Sequence, residues 1–422
     1  MLLRLLDTKI PKKTKKIPYS SLTYCENKKK KKGGTIMKRL VCLYSLTAFL
    51  VLCILGAPSY SQKTAKGPYV IGGIFPLTGY LSWLGEYKKK GSELKAELIN
   101  EAGGVDRTPL KLVVYDDQSS PEQAAKIAQR LISKDGAVFL IGTASVPISG
   151  AVASIANKEK VPAIIGSGYE VDPKKDKYVF NTAHKTDFAI ARPFEYFKKS
   201  GMTKVALLMP IGSLGELGSR LARKYAPSYG ITIVGEEKFD IKAPDVTAQL
   251  AKLKTLNPSA IFSFCTGEPA ALVARNMAQL GMKIPLLVSH GNANPGFLRL
   301  IKDIDVPILV PSGRATLPNE LPDSDPCKKV IIEFSKRHEQ KYGEPANYYS
   351  AEMVDAVAII AEVIKRTGSR EGEKLVKGIE NLKNFVGMQG VYKFSEDDHH
   401  GTALEDMMVL TIKDGKWRLL HR

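Results

Sequence analysis

YVIGGIF (Tyr69–Phe75), LKLVVY (Leu110–Tyr115), AVFLI (Ala137–Ile141) and PAII (Pro162–Ile165) are short apolar runs separated by regular punctuation. The first leads through PLTG into a helical stretch that stops at Ala102-Gly103-Gly104. The second leads through DDQSSPEQ, and the third through GTASVP, into further helices. Short apolar runs alternating with helices make βαβ units, hence a parallel sheet covered on both faces. Ligands of such sheets bind beyond the carboxyl ends of the strands. Those ends carry Pro76–Gly79, Asp116–Ser120, Gly142–Pro147 and Gly166–Glu170, so function is to be sought there.

The helices are equally well marked. Pro121 suits a first helical position after Ser119-Ser120, and Gln123 completes a capping-box pattern with Ser120. Ala124, Ile127, Ala128, Leu131 and Ile132 then share one face. A second series begins at Lys204 with KVALLM, ITIVGEE, AIFSF (Ala260–Phe264) and PLLVS (Pro285–Ser289). Helices are expected after Gly215, from Asp245 to Leu256 and after Pro269. The chain therefore reads as α/β, with units near 62–184 and 185–312. Residues 313–422 hold two long helical stretches, Cys327–Tyr342 and Tyr348–Thr367, and a hairpin-like end, too strand-poor for a third domain. They are expected to complete the other two, giving one lobe of 62–184 plus 313–392 and another of 185–312 plus 393–422. Crossings near His184, Val310–Gly313 and Tyr392–Ser395 predict a hinge with a cleft between the lobes.

The 422 residues carry a net charge of +19. Residues 1–61 hold 13 Lys/Arg and 2 Asp/Glu, so 11 of those charges sit ahead of the folded part. Met37 opens a secretory pattern: Lys38-Arg39, an apolar run from Leu40 to Leu55, then small Ser59 and Ser61 before Gln62. Residues 37–61 are thus expected to be a signal peptide, and 1–36 a mis-assigned start or a disordered leader. Leu52 before Cys53 and Val41 before Cys42 disfavour a lipoprotein signal. Of the five cysteines, Cys25, Cys42 and Cys53 precede the expected cleavage, leaving Cys265 and Cys327, read as unpaired thiols in preference to a disulfide. The expected location is periplasmic. The remaining basicity is mixed with acids and forms no stripe with aromatics, so no nucleic-acid partner is expected.

No GxSxG, HExxH or GxxxxGK[ST] motif occurs, and IGGIFPLTG has Phe75 and Pro76 where a dinucleotide fingerprint needs glycine. An enzyme is not expected, nor a cofactor. Glu396-Asp397-Asp398-His399-His400 looks like a metal cluster, but it is read as a turn between two strands whose side chains diverge.

IGGIFPLTG (Ile71–Gly79), INEAGGV (Ile99–Val105), LKLVVYDDQSSPEQA (Leu110–Ala124), VASIANKEKVPAIIGSG (Val152–Gly168), KYGEPANYYSAEMVDAV (Lys341–Val357) and the terminal KDGKW resemble one family in order and spacing. That family is the branched-chain amino acid (Leu/Ile/Val) substrate-binding proteins of ABC importers, a type I periplasmic-binding fold. The resemblance spans Tyr69 to Trp417. It implies a two-lobed flytrap, with a parallel sheet and helices on both faces in each lobe. It also implies a monomer that encloses a small ligand and hands it, unaltered, to permease subunits. A sensing receptor on the same scaffold is the alternative.

The resemblance places a ligand carboxylate against Thr143–Pro147 and Ser167–Tyr169. Independently, Pro147 suits a helix start, whose free N–H groups attract an anion, and Ser145, Ser167 and Tyr169 offer hydroxyls. An ordinary capped helix beside a Gly-rich turn is the competing reading. Family members for amino acids usually have serine where Val146 stands, and tyrosines where Leu214 and Thr266 stand. Their acidic partner for a ligand ammonium aligns with His290, and a neutral imidazole does not replace that charge. Either Glu268 or another acid substitutes, or the ligand has no free amine; a small carboxylate or amide is favoured over leucine. Trp83 is expected to form a pocket wall, against the alternative of a packing Trp. Of Tyr348 and Tyr349, one is expected in the core. The site residues are thus Trp83, Ser145, Val146, Ser167, Tyr169, Thr266 and His290.

Overall fold

The computed structural model describes residues 67–422. The expectations for 1–36, for the signal peptide and for Cys25, Cys42 and Cys53 lie outside the described residues.

Five strands, β1 (Tyr69–Phe75), β2 (Leu110–Asp116), β3 (Phe139–Gly142), β4 (Ala163–Ile165) and β5 (Val179–Asn181), form a parallel sheet in the order β2-β1-β3-β4-β5. β1 is buried along nearly its whole length, as expected of a central strand covered on both faces. The covering helices are α1 (Ser82–Glu101), α2 (Pro121–Ser133) and α3 (Val146–Glu159). Ser120 caps α2 by accepting from the Gln123 N–H at 3.4 Å, with Pro121 in the first turn.

After α4 (Phe188–Lys199) the chain builds a second sheet from β6 (Lys204–Pro210), β7 (Thr232–Phe239), β8 (Ala260–Ser263), β9 (Leu286–Val288) and β10 (Ile308–Gly313). α5 (Ser213–Tyr225), α6 (Thr247–Lys254), α7 (Glu268–Gln279) and α8 (Pro295–Leu300) connect them. α9 (Pro326–Tyr342) buries Cys327, Ile331 and Phe334 in the second lobe's core, not in the first where the expected division puts them, while near its end Arg337 and Lys341 pair with Glu101 and Glu97 of α1. α10 (Tyr348–Thr367) packs its apolar face, Met353 to Ile364, into the first lobe's core. Asn347 starts it with a capping box: its side chain accepts from Tyr349 N (3.0 Å) and Ser350 N (3.1 Å), while Ser350 Oγ accepts from Asn347 N. α11 (Gly372–Glu380) and a two-stranded ribbon, β11 (Phe385–Val386) with β12 (Val391–Tyr392), follow.

The hairpin at the end is shorter than the sequence suggests. It comprises β13 (Met407–Lys413) and β14 (Lys416–His421), added antiparallel beside β10, so the second sheet is parallel with an antiparallel edge. β12 and β13 are not partners. Between them Phe394 lies in the first lobe's core and Met407 in the second's, so 395–406 passes between lobes; within it Glu396-Asp397 form a tight turn closed by a Ser395–Asp398 bridge, but that turn does not join β12 to β13. There Asp398 pairs with Lys185 at 3.1 Å, His399 stacks on Phe180 at 4.0 Å, and the His399 carbonyl accepts from Asn181 N of β5. β5 itself is only three residues long, too short to stand out as an apolar run.

The passages meet around Gly313. A Cβ there would lie 2.5 Å from Gln389 Oε1, 2.8 Å from His184 Cε1 and 3.2 Å from the Tyr348 ring, so only glycine lets these segments touch. Beside them Arg314, buried, joins Asp325 (3.0 Å) and Asp406 in one ion cluster. Among the described residues, no helix is long and apolar enough to cross a membrane.

Candidate functional site

In each sheet the strand order reverses at the first strand: β1 between β2 and β3, and β6 between β7 and β8. Reversal points open crevices at the carboxyl ends of the strands. The loops there are 76–81 and 143–145 in the first lobe, and 211–212 and 264–267 in the second. Large apolar side chains lie open along them: Tyr80, Trp83 (41 % exposed), Val146 (48 %), Ile211 and Leu214 (43 %).

The loop after β3 is conformationally constrained. Thr143 is fully buried at φ +67°, a region β-branched residues avoid. Its N–H donates to Ile74 O at 2.8 Å, and its hydroxyl bonds Ser149 Oγ at 2.7 Å. Ser149 Oγ in turn bonds Ser167 Oγ at 2.7 Å, so a chain of three hydroxyls couples the two loops assigned to a ligand carboxylate. Ser145 ends up at the N-cap of α3 with extended backbone, and its Oγ is buried without any hydrogen-bond partner. Under this platform runs a buried ion pair. Lys88 of α1 contacts Glu352 of α10 and donates to Gly166 O at 2.6 Å. Burial raises the Glu352 carboxyl, and Lys88 counters part of that rise.

Two tyrosines of α10 join the lobes. Tyr348 and Tyr349 cluster with Leu84 and touch Ala144, the neighbour of Ser145. Trp83 meets the Tyr349 ring edge-on at 5.5 Å. Tyr349 OH donates to Gly291 O of the second lobe at 3.0 Å, and the His290 ring lies 6.2 Å from that of Tyr348. Trp83 and His290 are therefore gathered around the tyrosine pair, and Ser145 follows Ala144, which packs against it. Burial, aided by His184, holds the His290 imidazole down to about 4, so it is neutral, and its Nδ1 is shut off from solvent without a partner.

The remaining expected residues are placed differently. Val146 is exposed beside Gly168. Ser167 is buried, spent on Ser149 and on the Tyr169 N–H. The Tyr169 hydroxyl turns away, donating to Asp176 at 3.2 Å, and burial with that carboxylate pushes it up to about 12. Thr266 Oγ1 bonds Ser289 Oγ at 2.7 Å, bracing the residue ahead of His290. Glu268, the proposed substitute acid, pairs with Arg275 at 2.5 Å and is 61 % exposed. Sequence reading did not single out Lys88, Glu352 or Ser149, because a lysine among Tyr87-Lys88-Lys89-Lys90 looks like a solvated face.

A family model described as periplasmic binding protein matches residues 68–416. The chain belongs to that family, in its branched-chain amino acid, type I branch. The leucine-, isoleucine-, valine-, threonine- and alanine-binding protein of Pseudomonas aeruginosa is 25% identical over 353 residues, covering 83% of this chain and 89% of that protein. An extracellular ligand-binding receptor from Rhodopseudomonas palustris HaA2 superposes with TM-score 0.74 at 26% identity, covering 84% of this chain and 100% of the other. The branched-chain amino acid transporter substrate-binding protein LivJ from Streptococcus pneumoniae, solved with isoleucine, shares the fold at TM-score 0.69 and 22% identity, with coverages of 84% and 100%. The family consists of substrate-binding proteins.

Proposed function

We propose that this chain is the extracytoplasmic substrate-binding protein of an ABC importer. As a monomer in the periplasm it captures an amino acid or a related small carboxylate or amide between its lobes and delivers it unchanged to permease subunits. It is not an enzyme and needs no cofactor. The lobes follow the division 62–184 plus 313–392 and 185–312 plus 393–422, except that 315–334 pack with the second lobe and Phe394 with the first, and the ligand-contacting set is Trp83, Ser145, Val146, Ser167, Tyr169, Thr266 and His290. Tyr169 contributes through its main chain and ring. The observation that carries the reading is a pair of buried polar atoms left without partners on opposite lobes, Ser145 Oγ and His290 Nδ1. Buried polar groups are normally paired, so both are matched by a ligand that arrives between them. Closure is then favoured by contacts that only the closed form makes.

Ser145→Ala tests this. Because the hydroxyl has no partner, the ligand-free protein keeps its melting temperature, while affinity for the ligand identified in a thermal-shift screen falls at least ~10-fold. Unchanged affinity would remove Ser145 from the site. The relative from Rhodopseudomonas is described as a receptor, which favours a second reading, ligand sensing on the same scaffold. Loss of uptake on deleting the gene supports transport over sensing.

A further inference from the structure

We propose that the first lobe carries a second binding site, remote from the cleft, where Lys95 holds a small carboxylate with an apolar chain or ring. This goes beyond the transport reading and does not rest on it. α1 and α10 both start near the cleft, with Trp83 and Tyr348, and pack side by side. Their far halves, with the loop after α1 and with β11, enclose a cavity of about 450 Å3 lined chiefly by Lys95, Ile99, Val105, Ala361, Lys365 and Phe385. At 1.5 Å per residue, Lys95 lies about 18 Å along α1 from Trp83. The loop beside it leads into the start of β2, so the cavity sits at the edge of the sheet opposite the cleft. Its volume is in the range of small-molecule sites, and Ile99, Val105, Ala361 and Phe385 give it an apolar floor continuous with the first lobe's core.

Lys95 is half-buried, and among the described residues it makes no hydrogen bond and no ion pair. The acids of the bordering elements are engaged elsewhere. On α1, Glu93 faces Lys89 at 3.9 Å, Glu97 pairs with Lys341, and Glu101 pairs with Arg337 at 3.0 Å. On α10, Glu352 pairs with Lys88, and Glu362 with Arg366 at 2.7 Å. Asp355 lies behind Lys95, beyond ion-pair distance, and accepts from the N–H groups of Met388 (2.7 Å) and Gln389 (2.8 Å) and from the Tyr392 hydroxyl (3.0 Å). Burial lowers the Lys95 ammonium, and the Asp355 charge counters only part of that. At the mouth Lys365 and Asp106 are both exposed and, among the described residues, in no ion pair, which leaves two unpaired lysines against one unpaired acid. A half-buried ammonium without a partner is costly, and a ligand carboxylate supplies that partner through charge-assisted hydrogen bonds. The apolar floor takes the rest of the molecule.

Isothermal titration with octanoate tests the site, and octan-1-ol supplies the same chain without the charge. The unsubstituted protein is expected to bind octanoate, and Lys95→Met to weaken that site at least ~10-fold while octan-1-ol binds both proteins alike. Because Lys95 has no partner to lose, Lys95→Met should also melt no lower than the unsubstituted protein. An octanoate isotherm that Lys95→Met leaves unchanged overturns the inference, wherever the acid binds, because a lysine that only reaches past the apolar floor to water gives that result. Absence of octanoate binding overturns it, as does an equal loss of octan-1-ol. A lower melting temperature for Lys95→Met would mean that Lys95 is paired within the protein, and overturns it as well. None of these outcomes bears on the transport reading, whose test is at Ser145.

Discussion

Replacing Lys88 by methionine isolates the buried ion pair beneath the candidate site. The side chains of Lys88 and Glu352 are 2% and 4% exposed, so the substitution strands a carboxylate in the interior. Breaking a buried pair by removing one partner costs about 3–5 kcal/mol. Unfolding entropy scales with chain length, so for a folded unit of this size the melting temperature falls by about 4–7 °C. The sign of the pH dependence follows from the direction of the shift. Burial already raises the Glu352 carboxyl, and losing Lys88 raises it further. The destabilisation is therefore largest at neutral pH and shrinks toward pH ~4, where the unfolded carboxyl is protonated as well. The double substitution Lys88→Met/Glu352→Leu removes both charges while keeping volume. It leaves only the Gly166 carbonyl without its donor, a residual of about 1–3 kcal/mol. Urea unfolding at pH 7 and pH 5 reads all three proteins. A single variant as stable as wild type, or a double variant no better than the single, refutes the assignment of this pair as a structural support of the Gly166–Gly168 loop.

Further predictions concern the passages between lobes, the imidazoles and the thiols. Gly313→Ala drives a methyl to 2.5 Å from Gln389 Oε1 and 2.8 Å from His184 Cε1, and overpacking of this kind costs about 1–3 kcal/mol in urea unfolding. A wild-type midpoint would show that these segments yield freely. Burial holds His184 down to about 4, against 6.5 when free, so the unfolded chain binds more protons between those values and stability drops as pH falls through that window. Asp117 and Asp355, raised by burial to about 6, act in the opposite sense, so the readout is the stability difference between wild type and His184→Asn. That difference shifts against wild type by up to about 1.4 kcal/mol per pH unit on acidification, and a constant difference refutes it. Cys265 and Cys327 are buried free thiols, both pushed up to about 12 by burial. A thiol reagent at pH 8 should label neither until urea is added, and fast labelling of the native protein would contradict their burial.

The strands and helices were legible because their signals are local. An apolar run such as Tyr69–Phe75 must be buried on both faces, and Ser120-Pro121 marks a helix start whatever surrounds it. β5 escaped notice because three residues carry no periodicity, and its pairing depends on His399, distant in sequence. At the site, the loops followed from topology: strand ends at a reversal point are identified once the strand order is inferred. The direction of individual side chains did not follow. Tyr169 looked like a ligand hydroxyl, but Asp176 claims it; Ser167 looked free, but Ser149 and the Tyr169 N–H claim it. Those partners are fixed by packing between helices, which no spacing rule encodes. The Lys88–Glu352 pair is the extreme case, because its members are 264 residues apart and each is ordinary in its own neighbourhood.

Tyr348 ties the proposed site to the passages between lobes. Its hydroxyl lies 3.3 Å from His184 Nδ1 on the first passage, and its carbonyl accepts from Gln389 Nε2 at 3.1 Å, close to the last. Its ring abuts Gly313 on the middle one and faces His290 at the cleft. It is held at the head of α10 by the Asn347 cap, so it has no independent freedom. Under the proposed function, a ligand pressing on His290 acts on a side chain already in contact with His184, Gly313 and Gln389. Packed interiors switch between discrete arrangements and do not deform continuously. On the proposed function, occupancy of the cleft and the angle between lobes are then two readings of one packing arrangement around a single aromatic ring.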